Sequence, residues 1–229
     1  DDISPLVDAK YRSTDNTWIG VSGRSRVLSY NPDLLSAAEL PKSVFDLADA
    51  KWKGKIAIAP TNASFQSSVT AMRLLKGEPA TVKWLAAMKE NAVLFEKNSQ
   101  ILEAVETGQV AAGLLNHYYW YERAAEVGED KMVSKMSWFE TGDAGNLINV
   151  AGVGVLTDKP EAQTFAKWLL GNSAQTFFVE KTAEYSLTGL AARAGLPALE
   201  EIAAPKIDLS SLSTLAQTLE LIRNARLTD

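Results

Sequence analysis

Apolar and polar positions along the chain alternate between short continuous runs and stretches at helical spacing. Residues 56–59 form an apolar run that ends in Pro60-Thr61-Asn62-Ala63-Ser64. Beyond it Phe65, Val69, Met72 and Leu75 recur at helical spacing, with Leu74 on a neighbouring face. Gly77 ends that helix, and 81–89 predicts a second with Val82, Leu85 and Met88 on one side. Residues 93–95 read as a short strand. Asn98-Ser99 is expected to cap a third helix carrying Ile101, Leu102 and Val105, which Gly108 stops before the apolar run 110–115. Strands alternating with helices at this spacing predict an α/β fold with mainly parallel sheets and helical crossovers.

The flanks are less regular. Residues 1–16 are polar and close on the turn cluster Ser13-Thr14-Asp15-Asn16. Residues 18–22 and 26–30 read as two strand-like segments around Ser22-Gly23-Arg24-Ser25, closed by Asn31-Pro32-Asp33. A short helical turn follows at 43–48. Downstream, Gly142-Asp143-Ala144-Gly145-Asn146 is a turn leading into 147–156, small and apolar, expected to be a strand buried on both faces. Pro160 opens a helix with Phe165, Trp168 and Leu169 inward, and 173–181 forms another. A Gly/Pro-rich connection, 189–205, precedes a last helix at 213–226. The sequence holds neither repeats nor a clean linker, which suits two lobes that share chain crossings.

Composition narrows the function classes. The chain has 229 residues, enough for one large domain or two small ones, and 46% hydrophobic with 22% charged residues is ordinary for a globular protein. A net charge of -5 without a basic stripe argues against a nucleic-acid partner. The absence of cysteine removes disulfides, zinc–cysteine sites and cysteine nucleophiles together. No apolar run has the length that spans a bilayer. The opening Asp1-Asp2-Ile3 carries no charged leader or apolar run and reads as a processed or trimmed start.

The stretch richest in chemistry is Asn116-His117-Tyr118-Tyr119-Trp120-Tyr121, which holds the sole histidine. It follows a predicted buried strand, and open α/β sheets place ligands at such strand ends. Its rings fit two readings: core aromatics whose hydroxyls find partners, or hard oxygen donors that a highly charged cation deprotonates. Tyr118 and Tyr119 can serve one ligand only if the strand ends just before them. His117 lacks the spacing of a zinc motif and reads as a satisfied side chain. Three loops, Thr61-Asn62-Ala63-Ser64, Asn98-Ser99 and Asn116, converge at one sheet edge if the fold is as predicted. Each alone is ordinary capping; together they suggest a small anion beside a hard metal. Arg24 and Arg26 share a strand face and either form an anion-binding fork or are solvated charges. Enzyme signatures are missing: the chain has no G-x-S-x-G elbow, no dinucleotide or phosphate-loop glycine motif, and no carboxylate pair that stands out.

Several of these segments are similar to one family. Ser22-Gly23-Arg24-Ser25-Arg26-Val27, Lys51-Trp52-Lys53-Gly54-Lys55, Pro60-Thr61-Asn62-Ala63-Ser64-Phe65, Lys97-Asn98-Ser99, Asn116-His117-Tyr118-Tyr119-Trp120 and the run 142–156 resemble the ferric-iron-binding periplasmic proteins of bacterial ABC importers. The resemblance runs along essentially the whole chain, and its most specific element is Asn-x-Tyr-Tyr-Trp. It implies a two-lobed binding-protein fold with a cleft site. Tyr118 and Tyr119 would ligate Fe(III). Asn62, Ala63, Ser64, Asn98 and Asn116 would hold a synergistic phosphate or carbonate, with Arg24 contributing in carbonate-binding members. It further implies an exported, periplasmic or lipid-tethered protein that delivers iron to a membrane permease and is not an enzyme.

The expected division is 1–24 as remnant of the N-terminal lobe and crossover, 25–148 as C-terminal lobe, 149–199 as the return into the N-terminal lobe, and 200–229 as a helical segment packing on the C-terminal lobe. Family members also carry a preceding βαβ stretch with the remaining metal ligands, so the N-terminal lobe here is expected to be incomplete and the site open. Asn62 and Ala63 stand where the family commonly has serine and glycine, and Asp143-Ala144-Gly145 replaces Asp-Pro-Gly. Two further functions stay open: a partner-binding or homo-oligomerising remnant that uses uncovered apolar surface, and a metal-free binder of phosphate or a phosphonate.

Overall fold

The computed structural model describes residues 3–228. The opening Asp1-Asp2, and Asp229 at the end of the expected C-terminal segment, lie outside the described residues.

The spine is one long strand, β1 (Ile19–Tyr30), where two segments around a turn were expected. Gly23, read as a turn residue, is a packing residue: an added Cβ would lie 3.2 Å from Leu187 Cδ2 and 3.3 Å from Tyr185 Cβ. Gly20 is tighter, with Tyr11 O at 2.7 Å. The two ends of β1 serve different neighbours. Its second half pairs antiparallel with β4 (Ala112–Asn116) and β5 (Lys135–Ser137). Its first half pairs antiparallel with β6 (Ile148–Val153) and briefly with β7 (Tyr185–Ser186). The change of neighbours falls between Ser25 and Arg26, and the β1–β6 register shifts once, between Gly20 and Ser22.

The expected parallel pattern holds where strands alternate with helices. β2 (Ile56–Ile58) runs parallel to β3 (Ala92–Leu94) and to β4, so the strand path is β3-β2-β4-β1-β5. Helices α1 (Ala63–Lys76), α2 (Glu78–Asn91), α3 (Asn98–Glu106) and α4 (Tyr118–Val127) flank it. Alternation along the strands feeds two layers. Leu28, Ile56 and Ile58 pack with Trp52, Phe65, Trp84 and Met88, while Val27, Ala57 and Ala59 pack with Ile101, Val105 and Leu115. Gly113 lets α3 approach the sheet: a Cβ there would meet Ile101 Cγ2 at 2.2 Å.

A separate core joins Ile19, Val21, Ile148, Tyr185, Leu187 and Ile202 around the first half of β1. Two more helices, α5 (Pro160–Leu169) and α6 (Asn172–Lys181), belong to this region. The last helix, α7 (Leu215–Asn224), follows a 3-10 turn at Leu209–Ser213 and packs on α1. Thr70 and Thr218 share a buried hydroxyl contact at 2.8 Å there, and Arg73 donates to Thr214 O.

Three expectations about faces do not hold. Phe165 and Trp168 are 57% and 55% exposed, because Ala166 and the capping residue Leu170 form the inner side. Val82 is exposed on α2, where Thr81, Trp84, Leu85 and Met88 face inward. The run 147–156 is not buried on both faces. Only β1 pairs with β6 among the described residues, Ile148 is its one buried strand residue, and Leu156 is 98% exposed. No described helix is long and apolar enough to cross a membrane.

Candidate metal and anion site

β4 ends at Asn116 and α4 begins at Tyr118, so the adjacent tyrosines leave the strand before they could point to opposite faces. Their rings stack, with centroids 4.5 Å apart and planes 28° from parallel. Both are half-buried. Burial, followed by a hydrogen bond with Tyr119, pushes the Tyr118 phenol above its ordinary pKa, while a hydrogen bond with Asn116 and the Arg24 charge pull it down.

The other rings of the stretch have structural partners. His117 is fully buried, its Nδ1 accepting from Ser25 N–H at 3.1 Å and its Nε2 meeting Ala183 O at 2.6 Å. This pattern puts the proton on Nε2 and leaves neither ring nitrogen free for a metal. Burial, outweighing the hydrogen bonds to Ala183 and Ser25, lowers its pKa to about 4, so the ring is neutral at pH 7. Trp120 Nε1 donates to Ser134 O at 2.9 Å, and the buried Tyr121 ring lies 5.2 Å from the Arg193 guanidinium.

The three loops meet as expected. Asn62 caps α1, its Oδ1 accepting from Ser64 N–H at 3.0 Å, with Ala63 as the first helical residue. Asn116 Nδ2 donates to Ser64 Oγ at 2.9 Å, and Asn98 Nδ2 lies 3.5 Å from Asn62 Oδ1. Asn98 does not cap α3, as expected from sequence; Lys97 is the cap position and Gln100 accepts from its N–H. Freed from capping, the Asn98 side chain faces Asn62, and its buried Oδ1 has no hydrogen-bond partner. An unpaired buried acceptor calls for a hydrogen-bond donor or a cation beside it.

The arginines divide. Arg24 Nε pairs with Glu184 Oε1 at 3.1 Å, and Ser22 Oγ donates to the other Glu184 oxygen. Arg26 is only 3% exposed, and its Nη1 donates to Asn116 Oδ1 at 3.2 Å. Desolvation lowers its pKa to about 10, and the nearby Tyr118 and Tyr119 raise it. Among the described residues no carboxylate pairs with Arg26. Sequence reading grouped Arg26 with Arg24 but did not assign it to the site. Its signal was parity: Arg26 shares the strand face of Leu28 and Tyr30, a charged residue in an inward position. Glu184 had no signal, lying 160 residues from its partner.

The donor set is oxygen-rich and without sulfur, and no cluster of three His, Cys, Asp or Glu able to hold a metal exists among the described residues. Phenol oxygens, side-chain amides and a buried guanidinium suit a hard, highly charged cation with a small anion.

Comparison with known proteins identifies the family. The sequence matches the bacterial extracellular solute-binding proteins over residues 1–209. The chain belongs to this family. It is 39% identical over 226 residues to the Fe(3+)-binding periplasmic protein of Serratia marcescens, covering 96% of this chain and 67% of that protein. It is 35% identical over 212 residues to the major ferric iron-binding protein of Neisseria meningitidis serogroup A, covering 91% and 64%. Iron-bound HitA from Pseudomonas aeruginosa superposes with a TM-score of 0.92 at 33% identity, over 98% of this chain and 74% of that one. An IdiA (FutA) protein from Trichodesmium, solved with iron and citrate ligands, gives 0.83 at 25% identity, over 97% and 74%. The fold is therefore the two-lobed α/β architecture expected from the motifs. The chain spans about two thirds of the length of these curated relatives. They are binding proteins and not enzymes.

Proposed function

We propose that this chain captures ferric iron outside the cytoplasm, through the phenol oxygens of Tyr118 and Tyr119 together with a small anion, and passes it to the permease of an ABC importer. The observation that carries the reading is the stacked tyrosine pair at the end of β4, set against a buried arginine without a carboxylate partner. Relatives named for ferric-iron binding support the cargo. On binding, each phenol gives up its proton to solvent, and the Asn116 amide, which donates toward Tyr118, stabilises the resulting negative charge.

The anion is phosphate or carbonate, seated on Asn62, Ala63, Ser64, Asn98 and Asn116, with Arg24 at the edge. Glu184 holds Arg24 through Nε and leaves the terminal nitrogens of the guanidinium for the anion. The two cores at the two ends of β1 correspond in this reading to two lobes, 25–148 with the C-terminal segment 200–229 and 1–24 with 149–199, except that Ile148 and Ile202 pack in the core of the second.

Titration of the metal-free protein with ferric citrate in phosphate buffer tests the reading. A visible phenolate-to-iron charge-transfer band is expected, and Tyr118→Phe with Tyr119→Phe is expected to abolish it. A well-folded protein that stays colourless would refute the assignment. A second reading, a metal-free anion binder, is favoured by the assembled amides and Arg26. Calorimetry with phosphate in metal-free buffer separates the two, since iron-dependent binding gives no heat there.

A further inference from the structure

We propose that Arg26 is a positioning residue of this site: it holds the Asn116 side chain with its NH2 group turned toward Ser64 and Tyr118. This rests on the reading of the site as a ferric-ion and anion seat.

Arg26 and Asn116 are directly opposed in the antiparallel register of β1 and β4, so their side chains rise from the same sheet face. The amide of asparagine has two ends of nearly equal size, and its environment alone decides which way they point. A guanidinium carries only donors, so the end facing it must be the oxygen. That contact is the 3.2 Å bond from Arg26 Nη1 to Asn116 Oδ1. The NH2 group then has one direction left, where it donates to Ser64 Oγ at 2.9 Å and meets the Tyr118 hydroxyl. In the flipped orientation two donors would face each other inside the protein, and the anion seat would present an oxygen to an anion.

The arginine is free for this task. Arg24, two residues earlier on the same strand face, is held by Glu184, whereas no described carboxylate engages Arg26. Its guanidinium makes no described hydrogen bond to Tyr118 or Tyr119. Arg26 therefore acts through Asn116, and its contribution depends on that amide being present.

Two measurements test this. In the metal-free 15N-labelled protein, the side-chain NH2 signals of Asn116 are assigned by their loss in Asn116→Asp. In Arg26→Met they are expected to move toward free-amide positions and to exchange with solvent roughly tenfold faster, as for a lost hydrogen bond. Arg26→Lys, which keeps a donor, is expected to retain them. Unchanged signals in Arg26→Met overturn the proposal.

In the second, ferric ion is titrated in phosphate. Arg26→Met and Asn116→Ala are each expected to weaken binding about tenfold, and the double variant no further, since the two act as one unit. Additive losses overturn the proposal, because Arg26 would then act on its own. Should Arg26→Met fail to fold, Asn116→Asp decides. It keeps a bond to Arg26 but has no NH2 group, and is expected to bind iron as poorly as Asn116→Ala; wild-type affinity overturns the proposal. A wild-type protein without iron colour whose Asn116 signals still respond to Arg26→Met removes the ferric reading and leaves the positioning role intact.

Discussion

His117 Nε2 lies 2.6 Å from the backbone oxygen of Ala183, a buried hydrogen bond between the end of β4 and the connection from α6 to β7. Sixty-six residues of sequence separate the two groups. The bond ties the tyrosine-bearing turn to the neighbouring core, and Ala183 adopts a left-handed backbone, φ 53°, at the contact.

This buried histidine makes stability depend on pH. Burial lowers its folded pKa to about 4, against about 6.5 unfolded. The unfolded chain therefore binds the proton first as pH falls. The contribution is fully present above about pH 6.5 and is lost progressively down to about pH 4, amounting to about 3 kcal/mol. Denaturant melts of the metal-free protein between pH 4 and 7 are expected to show this loss. His117→Gln is expected to be less stable at neutral pH and to flatten the slope.

Gly113→Ala is expected to destabilise the protein by about 1–3 kcal/mol, because the new methyl would drive Ile101 and α3 away from β4. Urea denaturation measures it. Gly54→Ala meets no atom within 4 Å and serves as the contrasting case, its cost confined to a backbone at φ 74°.

Asn98→Ala is expected to leave the melting temperature nearly unchanged, since its Oδ1 has no partner and its Nδ2 contact is long. If the seat is as proposed, calorimetry should show iron-dependent phosphate binding weakened by about tenfold, the scale of a hydrogen bond to a charged group. A large stability loss with intact binding would make Asn98 a purely structural residue.

Phe165→Lys and Trp168→Lys are each expected to cost less than about 0.5 kcal/mol, as substitutions on an exposed face do. The stacked pair loses a 5.8 Å ring contact and little buried area. Ala166→Leu, on the buried side of the same helix, is expected to cost more through overpacking. Thermal melts of the three variants distinguish the inner from the outer face of α5.

Local pattern in the sequence determined much of this protein. The periodicity of Phe65, Val69 and Met72 and the apolar runs before Pro60 and Asn116 placed the helices and strands of the α/β sheet. The Asn-x-Tyr-Tyr-Trp element and the loop asparagines pointed to the candidate site, and the fold brings those residues together. These features are legible because helix and strand periods and strand-end loops are properties of neighbouring residues. Tertiary structure decided the rest. It made β1 continuous, because Gly20 and Gly23 leave room for Tyr11 and Leu187 and do not turn the chain. It turned Phe165 and Trp168 outward, because the inner face of a helix is set by what packs on it. It set Arg26 opposite Asn116 and Glu184 against Arg24, pairings that depend on strand register and on chain segments up to 160 residues apart. Spacing along a chain carries periodicity, whereas register and burial arise only when distant segments pack.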